Sequence, residues 1–241
     1  MLVSASTERA LDYIAQRASD VQRAYAPGAV PAFDDVANAR SAVSKNVDPL
    51  SIALPNDAYL ITRDAPSDPL YTRDGGLQVR DGLLVTQRGS PVLGYASAEN
   101  APVGDLAIDP VDRALGRVQN LRIEADGTFA YDRTVVDPRS GTREMQRIAV
   151  GRLALARFPA ATKLGIVDAT RASAPAGVVP HVGRPGDGNF DRVVPMRREG
   201  SHIDIDRSLE KLKDAYTAFD ALAAAHKAQS KLGKTAMDLL K

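Results

Sequence analysis

The 241-residue sequence contains no cysteine and no tryptophan, and its aromatic side chains are limited to seven tyrosines and five phenylalanines. Without cysteine, the chain forms no disulfide, and neither thiolate catalysis nor thiolate coordination of a metal is open to it. With so few aromatic residues, we expect a core built mainly from aliphatic side chains. The remaining composition, 44% hydrophobic and 25% charged residues, is typical of a globular protein.

The chain also lacks an excess of charge, because 31 Lys and Arg residues against 30 Asp and Glu residues leave a formal net charge of +1. Without a strong field of one sign, we expect no binding of nucleic acid. No apolar run reaches about 18 residues, so no membrane insertion is expected. Residues 1–4 lack the basic and apolar regions of a cleavable signal peptide, and we therefore expect export, if it occurs, to proceed without one.

Glycine and proline are nearly absent from both ends of the chain and frequent in between. Residues 1–26 contain neither, and residues 201–241 contain one glycine and no proline, although the whole chain has 18 Gly and 15 Pro. Because both residue types interrupt helices, this distribution predicts helices at 4–26 and 206–240 around a body of strands and turns.

Both predicted helices carry an apolar stripe. In the C-terminal helix its residues follow alternating steps of four and three, the heptad spacing of a coiled coil. At 1.5 Å per residue this helix is about 50 Å long, so the shorter N-terminal helix covers only part of it. We therefore expect other copies of the chain to complete the burial. The predicted assembly interface consists of Leu11, Ile14, Val21, Tyr25, Leu209, Leu212, Tyr216, Phe219, Leu222, Ala223, Leu232, Met237 and Leu240.

Short apolar runs separated by turn residues occupy the middle of the chain. Asp81-Gly82 joins one pair of runs and Asp126-Gly127 joins another, and Asp-Gly favours tight hairpin turns with positive φ. Turns spaced about ten residues apart favour an antiparallel barrel or sandwich. Further strands are predicted at 51–54, 58–62, 147–150 and 152–158.

The predicted fold class is therefore α+β, with terminal, heptad-bearing, coiled-coil-like helices flanking a central antiparallel β-rich body. Residues 1–45 and 196–241, the two ends of the chain, are expected to form one helical self-assembly domain. Residues 46–195 are expected to form the β-rich body domain.

Residue types that commonly perform catalysis or bind metals form no recognisable pattern. The histidines His181, His202 and His226 have no metal-ligand spacing, and no serine lies in a Gly-x-Ser-x-Gly turn. Gly233-Lys234-Thr235 resembles the end of a phosphate-binding loop but falls in the predicted C-terminal helix. The sequence thus predicts no catalytic, cofactor-binding or metal-binding residue and no cofactor.

Two other functions stay open at this point. The β-rich body is compatible with a carbohydrate-acting enzyme that remodels peptidoglycan, which would need a cleft with two carboxylates about 5–10 Å apart. The glycine-rich segment 183–188 has the composition to cradle an anion through backbone N–H groups. Residues 183–191 would alternatively present a binding loop to a partner, although a surface turn is the simpler interpretation.

Several stretches carry motifs of a known family. Tyr-Thr-Arg-Asp-Gly-Gly-Leu at 71–77 is followed by Asp-Gly-Leu-Leu-Val-Thr at 81–86 and Gly-Ser-Pro-Val-Leu-Gly at 89–94. Together they resemble the central strand motif of the axial proteins of the bacterial flagellum, the rod and hook proteins. Segments 49–54, 59–61, 123–128 and 151–158 resemble further strands of that family.

The tail of the chain is similar to the same family. Glu-Gly-Ser-His-Ile-Asp at 199–204 is similar to the family's Glu-Gly-Ser-Asn-Val-Asp, and Ala-Gln-Ser-Lys at 228–231 is similar to its Ala-Asn-Ser-Lys. Seven extra residues separate the two motifs here, which preserves the heptad phase. The family's Asn-Asn-Thr-Pro-Gly-Phe after the N-terminal helix is reduced to Ala26-Pro27-Gly28 and the later Phe33.

The resemblance implies a non-enzymatic structural subunit of the flagellar basal-body rod, most similar to the proximal rod protein. Such a subunit polymerises helically through its terminal helices and transmits torque. The implied partners are other copies of the chain, the other rod and hook proteins and the flagellar export apparatus. The implied location is the periplasmic rod, reached by type III export, with which the lack of cysteine is compatible.

Overall fold

A computed structural model of the protein describes residues 5–31, 43–55, 57–63, 69–97, 101–136, 142–160 and 162–239, with side chains as far as residue 232. Within these ranges the backbone forms three helices and seventeen strands. In chain order they are α1 (Ala5–Arg23), β1 (Val43–Lys45), β2 (Ile52–Ala53), β3 (Ala58–Arg63), β4 (Pro69–Thr72), β5 (Leu77–Arg80), β6 (Leu83–Thr86), β7 (Leu93–Ala96), β8 (Val103–Asp105), α2 (Pro110–Ala114), β9 (Val118–Ile123), β10 (Thr128–Val136), β11 (Arg143–Leu153), β12 (Leu155–Arg157), β13 (Gly165–Ile166), β14 (Arg171–Ser173), β15 (His181–Gly183), β16 (Val194–Pro195), β17 (Arg197–Glu199) and α3 (Ile205–Leu239).

The predicted fold class is wrong. Strands form 38% of the protein and their sheets are antiparallel, so the chain is mostly β with one long helix near each end. The two terminal helices were predicted within a few residues of their observed bounds, but they do not show a coiled coil. A coiled-coil seam buries its heptad positions, whereas Leu209 and Tyr216 are 46% and 51% exposed.

The chain divides into two compact units. One contains residues 1–24 and 203–241, with α1 packed against α3, and the other contains residues 25–202. These limits differ from the predicted domain limits after residues 45 and 195. Strands β1 and β17, which the prediction assigned to the helical domain, pair with each other in the second unit. None of the described helices combines the length and the apolar character needed to cross a lipid bilayer.

Two larger sheets dominate the second unit. One has five strands in the order β8-β7-β11-β10-β9, and the other has six in the order β13-β14-β4-β3-β12-β15. Three two-stranded pairs, β1 with β17, β16 with β2 and β5 with β6, complete the described strands. Some pairings, such as β5 with β6 and β9 with β10, join consecutive strands, and their antiparallel arrangement follows from the short connections. Others, such as β1 with β17 and β16 with β2, join strands that are distant in sequence.

Both hairpins predicted from Asp-Gly pairs are confirmed. Asp81 and Gly82 have φ of +53° and +83° and connect β5 to β6, in which Arg80 pairs with Leu83. Two consecutive positive φ angles define the turn whose twist matches that of the flanking strands. The second hairpin joins β9 to β10, and the Asp126 carboxylate accepts a hydrogen bond from the Thr128 amide at 3.0 Å.

The core of the second unit is mainly aliphatic, as expected, but its largest fully buried side chains are Tyr131, Phe129 and Phe190. Burial, reinforced by a 2.6 Å hydrogen bond that the Tyr131 hydroxyl donates to Asp112, raises the pKa of Tyr131 to about 12. The core cluster comprises Leu50, Ile52, Leu54, Ala58, Leu60, Leu77, Leu84, Val92, Leu106, Ile108, Ile123, Phe129, Tyr131, Leu153, Leu155, Phe190 and Val193.

Candidate assembly surface

Helix α1 buries charged residues as well as an apolar one. Its buried positions are Ile14, Arg17, Asp20 and Arg23. Each lies three residues from the next and is therefore its neighbour on the helix surface, but the row turns by about 180° around the helix from Ile14 to Arg23. Asp20 pairs with Arg23 at 2.6 Å and with Arg17 at 3.5 Å. The Arg17 guanidinium also lies 5.1 Å from the centre of the Tyr13 ring.

These buried charges were not among the predicted interface residues. The sequence carried a signal for them in the Arg-x-x-Asp-x-x-Arg spacing of residues 17, 20 and 23, since charges three residues apart on a helix are neighbours. Such pairs are common on exposed helix faces, and spacing alone does not distinguish an exposed pair from a buried one. Leu11, which was predicted to be in the interface, is not one of these buried residues and is exposed.

Helix α3 begins at a capped end. The Asp204 carboxylate accepts a hydrogen bond from the Arg207 amide at 3.2 Å, and the Asp204 carbonyl accepts one from the Ser208 amide at 3.0 Å. A carboxylate at this position satisfies one of the unpaired N–H groups and lies at the positive end of the helix dipole. Asp206 adds a second negative charge in the first turn.

The apolar stripe of α3 is covered along one edge only. Ser208 and Ala215 are 6% and 8% exposed and lie seven residues apart. Leu209, Tyr216 and Ala223 also repeat every seven residues, one position further along, which turns them by about 100° around the helix. All three are exposed. We call Leu209, Tyr216 and Ala223 the open stripe.

A groove of about 410 Å³ runs between the two helices. Its walls carry one carboxylate, that of Asp214, so the groove does not offer the carboxylate pair that a carbohydrate-cleaving mechanism requires. The residues around it are Arg9, Ala10, Tyr13, Lys211, Asp214, Ala215 and Ala218. Small side chains at the last two positions leave room for close approach between helices.

The structure separates the predicted interface residues into three groups. Ile14 is buried in α1, while Val21, Leu212, Phe219 and Leu222 are half-buried. Leu11, Tyr25, Leu209, Tyr216, Ala223 and Leu232 are exposed, and Tyr25 belongs to the second unit rather than to the helical one. The Met237 side chain and the whole of Leu240 lie outside the described part of the protein.

In the glycine-rich segment 183–188, the Asp187 carboxylate binds backbone amides of the same turn. Asp187 accepts hydrogen bonds from the amides of Arg184, Asn189 and Phe190 at 2.9 to 3.0 Å. Within the segment, the Arg184 amide is thus bonded to Asp187, and the amides of Gly186 and Asp187 donate to the carbonyls of Phe190 and Arg184, so these three N–H groups already have acceptors. The segment forms a surface turn between β15 and the buried Phe190.

The other chemical motifs are dispersed. Gly233, Lys234 and Thr235 lie inside α3 and form no loop. His181 is stacked on Phe190 with ring centres 5.7 Å apart, and His202 Nε2 lies 2.8 Å from Glu199. Among the described residues, no group of three or more His, Asp or Glu side chains is arranged to hold a metal ion.

No protein-family model matches the chain, and no curated protein matches it either.

Proposed function

We propose that the protein is a structural subunit of the bacterial flagellar rod, which polymerises helically through its terminal helices and transmits torque. Its partners in this proposal are other copies of the chain, the neighbouring rod and hook proteins and the flagellar export apparatus. The resemblance of segments 71–94 and 199–231 to the axial proteins supports the assignment to the flagellum.

The observation that carries the proposal is the open stripe on α3. Burying a large apolar side chain contributes about 1.5–3 kcal/mol. Contact of the exposed Leu209 and Tyr216 with another molecule would therefore stabilise the association. Beyond Leu222, every described α3 side chain as far as Leu232 is exposed. Residues 223–232 of this helix, ten consecutive positions, are therefore available to neighbouring subunits.

The charge balance of the helical unit also suits close packing of many copies. Residues 1–25 carry three acidic side chains and three arginines, and residues 201–241 carry six acidic and seven basic side chains. A subunit with nearly equal numbers of each sign accumulates little repulsion as copies are added. Long-range repulsion would otherwise oppose a helical polymer, in which every subunit touches several others.

Substitution of the open stripe tests the role of α3. Leu209→Glu with Tyr216→Glu places carboxylates in the stripe without disturbing a buried residue, so the monomer should keep its helical circular dichroism. Loss of two apolar contacts should weaken association at least 100-fold. In the source bacterium, we expect this variant to be absent from purified basal bodies and to fail to restore motility to a deletion strain.

Ala221→Glu with Ala225→Glu is the matched control, because both positions are exposed and lie roughly 120–180° around α3 from the open stripe. This control should be incorporated into basal bodies. Incorporation of the stripe variant at the wild-type level would refute assembly through the open stripe. Absence of the unmodified chain from basal bodies, with normal motility of the deletion strain, would refute the flagellar assignment itself.

A further inference from the structure

Arg73 and Glu199 form a buried ion pair in the second unit. Arg73 Nη2 lies 2.9 Å from both carboxylate oxygens of Glu199, and Arg73 Nε lies 3.1 Å from Oε2. Each residue is 4% exposed. Arg73 Nη1 also donates to the carbonyl oxygens of Pro55 and Ala58, and Glu199 Oε1 accepts from the Leu54 amide. Removing one charge would leave the other buried and uncompensated, which is strongly unfavourable.

A second ion pair joins Asp74 and Arg198, the sequence neighbours of Arg73 and Glu199. The Arg198 guanidinium donates to the Asp74 carboxylate at 2.9 to 3.1 Å. Residues 73–74 and 198–199 therefore each contribute one arginine and one carboxylate, in the same order. The two positive and two negative charges sum to zero within the cluster. Their side-chain hydrogen bonds hold residues 73–74 next to residues 198–199.

The segments through which the chain enters and leaves this unit are bonded to each other. We call residues 25–31 the entry segment and residues 199–202 the exit segment. The Gly28 amide donates to the Gly200 carbonyl, and the His202 amide donates to the Ala29 carbonyl, both at 2.9 Å. The two bonds run in opposite directions between segments that are about 170 residues apart in sequence.

Each segment also contacts a residue of the ion pair, the exit segment through a side chain and the entry segment through the Arg73 backbone. In the exit segment, Glu199 belongs to the pair, and His202 Nε2 lies 2.8 Å from its Oε2. In the entry segment, Gly28 has φ of +67° and packs directly on the Arg73 backbone. A Cβ at Gly28 would lie 2.7 Å from the Arg73 carbonyl oxygen and 2.5 Å from the Asp74 nitrogen. Glycine is required there for both conformation and space.

We propose that the Arg73–Glu199 ion pair is a conformational latch, which holds the entry and exit segments to the second unit as one cooperative element. Breaking the pair then releases both segments together, while the core strands stay closed. The latch is a property of the monomer, so it stands or falls independently of the flagellar function proposed above.

Hydrogen exchange of individual amides in the intact chain tests the latch. Glu199→Gln removes the charge with little change in size. We expect exchange to accelerate roughly 100-fold at His202 and also at Gly28, whose amide is not bonded to Glu199. Exchange at Leu84, Val92 and Leu153, whose amides bond within the core, should be unchanged.

Glu124→Gln is the matched control for the charge, because Glu124 accepts two bonds from Arg147 at 2.8 and 2.6 Å on the exposed surface. It should leave exchange at Gly28 and His202 as in the wild type.

A second variant approaches the latch from the entry segment. Gly28→Ala does not alter Glu199 but displaces the entry segment, and we expect exchange to accelerate at His202 as well as at Gly28. Gly116→Ala is its control, since Gly116 also has positive φ, +63°, but nothing lies within 4 Å of an added Cβ. Acceleration confined to the substituted segment in either variant would overturn the latch. Equal acceleration of the core amides would also overturn it, because the pair would then contribute only to global stability.

Discussion

Asp187 organises the turn between β15 and Phe190 through a single carboxylate. Burial by itself would raise the pKa of Asp187, but hydrogen bonds from the amides of Arg184, Phe190 and Asn189 outweigh it and hold the pKa below its ordinary value of 3.8. The ionised form is thus favoured in the folded protein. Gly186 and Gly188, with φ of +74° and +92°, allow the chain to fold around the carboxylate.

Asp187→Asn should reduce the free energy of unfolding by about 1 kcal/mol at neutral pH, because the charge that the three amides stabilise is lost. The loss is smaller than for a buried charged hydrogen bond, since Asp187 is exposed and solvent screens its charge. A carboxylate whose pKa is lowered on folding contributes stability above its unfolded pKa and loses it as the pH falls through the folded pKa. The difference between wild type and variant should therefore shrink below pH 3.8. Urea unfolding at neutral pH and at roughly pH 3 measures both free energies.

Asp191→Asn is the control for this substitution, since Asp191 is an exposed carboxylate four residues further along the chain. It should change the free energy of unfolding by less than about 0.5 kcal/mol. An equal effect of the two substitutions, or a difference that does not depend on pH, would show that the Asp187 carboxylate does not hold the turn.

At the scale of elements, the features that depended on neighbouring residues were predictable. The hairpin at Asp81-Gly82 was predicted because both residues that need positive φ stand in the turn itself. The helix limits were predicted because glycine and proline are excluded from both ends of the chain. In each case the physical cause lies within a few residues of its effect.

Features that depend on distant residues were missed. The Arg73–Glu199 pair joins residues 126 positions apart, and nothing in the local sequence of either indicates the other. On α3, the apolar stripe is wider than the face that becomes buried. Ser208 and Ala215 are buried while Leu209 and Tyr216 remain exposed. Which edge of the stripe is covered depends on the approach of α1, and the predicted coiled-coil seam was wrong for this reason.

On strand β7, glycine is required because there is no room for a Cβ and not because the backbone has a positive φ. Gly94 on β7 pairs with Gly104 on β8. A Cβ at Gly94 would lie too close to the Arg152 carbonyl oxygen and 2.7 Å from Leu106 Cδ1, whereas a Cβ at Gly104 would have nothing within 4 Å. Leu106 is 1% exposed and cannot move without disturbing the core.

Gly94→Ala should therefore lower the free energy of unfolding by about 1–3 kcal/mol, the usual cost of overpacking. Gly104→Ala, directly across the ladder, should leave stability unchanged or raise it slightly, because alanine loses less backbone entropy than glycine on folding. Thermal and urea unfolding of the two variants provide the comparison. Similar losses from both substitutions would show that glycine is needed here for its backbone and not for the space beside Leu106.

At the scale of the molecule, the two units differ in what holds them together. Every member of the main core cluster lies between residues 50 and 193, so this cluster contains no residue of either terminal helix. The latch residues Arg73 and Glu199 lie inside the same unit. Among its described residues, the helical unit buries part of α1 and part of α3, and the buried positions of α1 include the charges of Arg17, Asp20 and Arg23.

A chain ending at residue 205 should therefore keep the second unit folded. We expect it to unfold cooperatively, at a temperature within a few degrees of that at which the intact chain loses the circular dichroism of its strands. The helical circular dichroism should be lost, because α3 supplies 35 helical residues. A chain ending at residue 180 is the control. It also removes Phe190 and Val193 from the core and Glu199 from the latch, and it should bind a hydrophobic dye and melt without cooperativity. If the chain ending at residue 205 behaved like the control, α3 would be part of the stabilising core, and its exposed stripe would not be surplus surface available for assembly.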